Sequence, residues 1–304
     1  MYYFEIAIKF LFWFYREIIF GVVITWCTIL SSFGQGMQAV TAPQNIIAVQ
    51  SKAVTFAPGV ISTADDEWAP SFTPDGNTVY FSSGSPSICF SKRVNGQWTK
   101  PVIAPFSGHW KDTDPFVSPD GKRLFFASYR PLDGLLQSPN QKNAHIWYVD
   151  HLSGDQWSEP HHLGAPVNLE GVNNYAPAVS RSGTLYFFSP GRDPNNKGKS
   201  YYAKWLGSHY DEPKLLSLNG TAGTKDPYIA PDESYIVFAS ANELYISFRK
   251  GDAWLPGQKL GPQVNSGDAY SSPYISADGK TLYYSADHTH GILMIPVNIP
   301  KNIN

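Results

Sequence analysis

The chain has little cysteine: two residues among 304, one of which, Cys27, lies in an apolar run near the N-terminus. Without that run only Cys89 remains, so the mature chain cannot hold an intramolecular disulfide. In Ser87-Ile88-Cys89-Phe90 it alternates as a strand residue does and reads as a small core hydrophobe. Charge is also sparse, at 16% of residues with a net of -2. Residues 1–34 carry two acids and two bases, so the mature chain also stands at -2 and has no basic block to neutralise a phosphate backbone. Nucleic acid is therefore not an expected partner. A glycine-rich phosphate loop and a Gly-x-Ser-x-Gly nucleophile turn are both missing, which removes two large enzyme classes.

What is plentiful is aromatic (15%), glycine (25 residues) and proline (24 residues), spread along the whole chain. That distribution belongs to many short strands separated by turns, and the 42% hydrophobic content is enough for a substantial core.

The N-terminus is set apart first. Ile18 to Phe33 is an almost unbroken apolar stretch preceded by Lys9 and Arg16 and followed by small residues, with Ser32-Phe33-Gly34 as the cleavage context. Residues 1–34 read as a signal peptide or an uncleaved membrane anchor, residues 35–52 as a linker, 53–298 as the folded domain and 299–304 as a tail. The expected location is periplasmic or extracellular, with any membrane attachment made only through the first segment.

A self-repeat settles the architecture. Pro70, Pro115, Pro177, Pro227 and Pro273 each open a short apolar stretch leading to a turn: Thr73-Pro74-Asp75-Gly76, Ser118-Pro119-Asp120-Gly121, Ser180-Arg181-Ser182-Gly183, Ala230-Pro231-Asp232-Glu233 and Ser276-Ala277-Asp278-Gly279. A second stretch follows each turn, ending at Phe81, Phe126, Phe187, Phe238 and Tyr284. The spacings of 45, 62, 50 and 46 residues match propeller blades. Each unit is two antiparallel strands joined by a tight turn. A third strand is predicted at Ile88–Phe90, Ile146–Tyr148, Tyr201–Ala203, Leu244–Ile246 and Ile292–Met294. The fourth is expected to begin at an aromatic with proline close behind, as in Trp98 with Pro101, Trp157 with Pro160, Tyr210 with Pro213 and Trp254 with Pro256, because an outermost strand tolerates proline. The last unit has no such segment after it, and Val54 to Pro58 supplies one from the start of the domain. The expected fold is an all-β propeller of five four-stranded blades, closed by pairing of the N-terminal strand with the C-terminal blade. A sixth blade would need strands from residues 37–52, which are too few for a complete one.

These turns, together with Arg130 and Arg192 shortly after second strands, resemble the TolB-type propeller repeats, which are similar to WD repeats but carry a Pro-Asp-Gly turn. The resemblance covers roughly residues 53–298. It implies the propeller fold and a recognition role in the cell envelope, and it brings no catalytic residues with it.

In such a blade the turn aspartates Asp75, Asp120, Asp232 and Asp278 sit on one face and serve their own backbone. The opposite face collects the residues that lead into each blade: Asp65, Asp66, Glu67 and Trp68; Asp112 and Asp114; Asn173, Asn174 and Tyr175; Lys225 and Asp226; Asp268 and Tyr270. The insertions 131–144 and 190–200 and the loop holding His288 and His290 should join them. With Arg130 and Arg192 these are the candidate ligand-binding residues, since binding concentrates on loops held by a rigid scaffold. One acid per blade at a repeated position can equally serve the backbone of the next blade. His288 and His290 with Asp66 or Asp268 lack a third ligand fixed by spacing, so no metal is assigned, and no cofactor. His161-His162 falls on an outer strand and reads as surface decoration.

The expected function is non-catalytic binding of a protein or glycan. The alternative is a carbohydrate-active enzyme of the glycosidase or lyase kind, with Asp66 and Asp114 as its carboxylates; Asn173 and Asn174 leave the third blade without a matching acid.

Overall fold

The computed structural model describes residues 51–84, 87–131, 143–195, 198–218, 221–267, 269–286 and 291–300. The readings on residues 1–34, on most of 35–52, and on Asp268, His288 and His290 lie outside them, as does most of the insertion 131–144.

The described residues form five antiparallel sheets and no helix. The first strands are Trp68–Phe72, Asp112–Val117, Tyr175–Val179, Lys225–Ile229 and Tyr270–Ile275. The second are Thr78–Ser83, Arg123–Ser128, Leu185–Phe188, Tyr235–Ser240 and Thr281–Ala286, and the third Ser87–Val94, His145–Ser153, Ser200–Ala203, Glu243–Lys250 and Gly291–Pro296. Within each sheet the first three strands lie side by side in sequence order, so each sheet is one blade of a five-bladed propeller.

Closure follows the expected route. Val54–Thr55 pairs with the last strand, Val54 opposite Met294 and Thr55 opposite Leu293. Just beyond, Phe56 is buried at 4% exposure and meets Phe72, Trp98 and Tyr283 edge-on at 5.1–5.7 Å. An aromatic from the chain start thus ties the first blade to the fifth.

The fourth strands depart from expectation. Gln97–Trp98 pairs with the far end of the first blade's third strand, the chain breaks at Pro101, and pairing resumes at Val102–Ile103 opposite Phe90 and Cys89. Blades two and four repeat this with Gln156–Trp157 then His161–His162, and Ala253–Trp254 then Gln258–Lys259. Proline has no N–H and a fixed φ, so the outer strand is split in two rather than merely starting at the aromatic.

Packing between blades is equally periodic. Alternate residues of each second strand are fully enclosed: Val79 and Phe81, Leu124 and Phe126, Leu185 and Phe187, Ile236 and Phe238, Leu282 and Tyr284, none more than 1% exposed. Each such side chain contributes about 1.5–3 kcal/mol on burial, which makes these ten positions the principal glue of the ring.

Candidate functional site at the channel mouth

The inner strands carry a conformational signature that the sequence pattern does not show. The residue before each anchoring proline, Ala69, Asp114, Ala176, Asp226 or Ser272, has positive φ, between 46° and 55°. Each lies in a β-bulge, where the register with the second strand slips. A left-handed residue costs about 1–2 kcal/mol, and the following proline crowds it further. The proline itself is tolerated because the inner strand is an edge facing the channel.

These five Xaa-Pro pairs line the channel wall. Its floor is aromatic: Phe116, Tyr228 and Tyr274 line it and, with Phe72 packed against Tyr274, form a cluster from four blades with ring centroids 5.3–6.4 Å apart. Tyr228 and Tyr274 donate their hydroxyls to the carbonyls of Ile275 and Phe72 at 3.1 and 3.3 Å, which pins the plug. The space left is about 40 Å³. That volume holds one to a few waters, against ~300–1,000 Å³ for an ordinary ligand pocket.

Two carboxylates face it, Asp114 and Asp226. Asp114 Oδ2 accepts the N–H of Ala176 at 3.2 Å and Asp226 Oδ2 that of Ser272 at 3.3 Å, each reaching the left-handed residue of the next blade. Burial raises both above the usual carboxylate range, and the charge of Asp114 helps push Asp226 up to about 6. Trp68 lies near enough to Asp114 to offset part of that rise. Beside Asp114 the hydroxyls of Tyr129 and Tyr175 lie 2.6 Å apart, with the Lys111 ammonium 5.2 Å over the Tyr129 ring. Burial, then Tyr129, raises the Tyr175 phenol.

Several other candidates are engaged within the protein. Glu67 is 5% exposed and accepts the backbone N–H and hydroxyl of Thr63 at 2.8 and 2.5 Å. Asp112 is sealed in blade two, taking hydrogen bonds from Ser107, Ser128 and Arg130 at 2.8, 2.5 and 2.9 Å; burial raises its pKa even so. Arg130 is thereby an internal ion-pair partner. Asn173 caps the N–H of Ala144 at 2.8 Å, and Asn174 is fully buried against Val167 and Asn168. Arg192 binds the carbonyls of Pro166 and Val167. Tyr270 is 5% exposed and turned inward, its hydroxyl 3.3 Å from Ser266 Oγ. Asp66 and Lys225 are exposed. Asp66 does not line the cavity, so the carboxylates that converge there are Asp114 and Asp226, not Asp66 and Asp114. Among the described residues no three His, Cys, Asp or Glu gather as a metal centre.

The turn aspartates behave as expected: Asp75, Asp120, Asp232 and Asp278 each accept a backbone N–H two residues on, at 3.0–3.1 Å. His162 does not behave as surface decoration. It is half-buried, its ring tilted against those of His145 and Trp147 with centroids 5.1 and 4.9 Å away, and burial followed by the His145 charge depresses it to about 4.

Solved structures share the fold. An α-L-arabinofuranosidase from Lactobacillus brevis matches over 80% of this chain and 94% of its own, at 14% identity and a TM-score of 0.52. TolB from Acinetobacter baumannii matches over 77% of this chain at 16% identity and a TM-score of 0.46, and this chain spans 55% of its length. A gluconolactonase from Xanthomonas campestris matches over 84% of this chain and 98% of its own, at 12% identity and a TM-score of 0.48. The likeness is one of fold. No protein-family model matches the chain, and no curated protein does. Among the described residues no helix is long and apolar enough to cross a membrane.

Proposed function

We propose that this chain is an exported, non-catalytic binding propeller that recognises a protein or glycan of the cell envelope. The observation that carries the reading is the size of the channel site. The two carboxylates that converge there share about 40 Å³ above an aromatic floor, too little for the sugar ring that a glycosidase must seat between its acid and its base. Both also serve the backbone of the next blade, which supports a structural use of the acids. Export is supported by the apolar segment from Ile18 to Phe33.

The elevated Asp226 pKa favours the alternative of acid–base chemistry on a glycan, and one experiment separates the two. The protein and its Asp114→Asn/Asp226→Asn variant are incubated with a glycan panel, and both retention and reducing-end release are read. Retention without release is expected. Release that disappears in the variant would make the protein an enzyme.

A further inference from the structure

The face opposite the channel mouth carries a second feature, built where the repeat breaks down. In blade three the turn reads Arg181-Ser182-Gly183 in place of Pro-Asp-Gly, and in blade four Glu233 stands where glycine is usual, at a φ of 58°. The two altered turns are locked together. Arg181 N–H donates to the carbonyl of Pro231 at 2.8 Å, and Glu233 accepts from Ser180 and Ser182 at 2.7 and 2.8 Å and from Arg249.

Beside this wall stands Trp205, in the loop between the third and fourth strands of blade three. Its side chain packs on Gly183, where an added Cβ would lie 3.0 Å from that of Trp205, and its ring meets Tyr210 edge-on at 5.0 Å. The indole is thereby held in place while remaining 37% exposed. It separates two hollows, about 610 Å³ toward blade four and 420 Å³ toward blade two, both lined also by Arg181. Either can take a sugar unit.

Arg181, Lys204 and Lys122 line the hollows and make no ion pair among the described residues, although Arg181 and Lys122 lie near enough to lower the pKa of Asp232 and Asp120. The remaining cations, Arg123 and Arg249, are matched by Asp150 and Glu233. The groove therefore offers a fixed flat aromatic surface with about one positive charge in excess, too little for a polyacidic peptide and suited to an isolated carboxylate on an otherwise uncharged body.

We propose that the groove around Trp205 binds an anionic oligosaccharide, one sugar ring lying on the indole and a uronate carboxylate reaching Arg181 and Lys204. This rests on the binding reading above and moves the ligand to the other face. The test is titration of the full-length protein, followed by tryptophan fluorescence and calorimetry, with uronate trisaccharides, their carboxyl-reduced neutral counterparts and a poly-glutamate peptide. Binding of a uronate trisaccharide is expected, weakened ~10-fold or more by carboxyl reduction, by Arg181→Glu and by Trp205→Ala. Arg181 is exposed, so its variant reports on binding without threatening the fold. Unchanged affinity in Arg181→Glu, equal binding of poly-glutamate, or no response to any uronate overturns the inference. A protein ligand found without any saccharide response overturns it while leaving the binding reading intact, whereas cleavage of the trisaccharide overturns that reading instead.

Discussion

The carboxylate of Asp226 in blade four accepts the backbone N–H of Ser272 in blade five, and both residues have left-handed backbones followed by proline. A folded pKa near 6, well above that of a free aspartate, means that the folded protein binds a proton there more tightly than the unfolded chain does. Its stabilising contribution is complete at acid pH and is lost as pH rises through about 6. Asp226→Asn keeps the acceptor and removes the charge. It should raise unfolding stability by on the order of 1–3 kcal/mol at pH 8 and by much less at pH 4, as read from denaturant titrations at both values.

Asp112 and Arg130 form a sealed pair, and removing one partner leaves the other charged and buried. Asp112→Ala should cost about 3–5 kcal/mol, while Asp112→Leu/Arg130→Met should cost much less than that single change, because it removes both charges together. Thermal unfolding of the three proteins checks it, and equal losses would deny the pair its internal role.

His162 gives acid sensitivity of the opposite sign to Asp226. Its folded pKa of about 4 lies below that of a free histidine, so its neutral form is favoured in the fold and stability is lost as pH falls from about 6.5 toward 4. The His145 ring, also depressed by burial, adds to the same window. His162→Gln should flatten the stability profile across that range, measured against wild type in matched buffers.

Glu233 combines a backbone cost with a side-chain benefit. Burial would raise its pKa, but hydrogen bonds from Ser180 and Ser182, with Arg249, outweigh it and hold the carboxyl near 2. Glu233→Ala keeps the left-handed strain and loses the network, and should destabilise by about 2–4 kcal/mol. Glu233→Gly also relieves the strain and should recover about 1 kcal/mol of that loss. If alanine and glycine prove equal, φ at this position is not the strained quantity described.

The ring was legible because its cause is periodic: Phe81, Phe126, Phe187, Phe238 and Tyr284 recur behind recurring turns, and a missing last strand points to Val54. The acids were not. Asp112 and Asp114 are two residues apart, a spacing that puts both on one face of a regular strand, yet one is sealed with Arg130 and the other faces the channel, because the bulge after Thr113 and the left-handed backbone of Asp114 break the alternation. Glu67 and Asn174 were offered to a ligand by type and are claimed by Thr63 and Asn168 through loop geometry that no spacing encodes. Trp205 lay on a face set aside as structural. The signal for it is present in the turns at Arg181-Ser182 and Glu233, which depart from the Pro-Asp-Gly pattern.

The closing strand imposes an order of events. Val54 and Thr55 are made early, but their partners Met294 and Leu293 are made some 240 residues later. Four blades can assemble as the nascent chain lengthens, while the opening segment waits unpaired with Phe56 exposed. The circle shuts only when synthesis has passed Pro296, so a chain stopped before Gly291 would keep two raw sheet edges and be marked for aggregation or proteolysis.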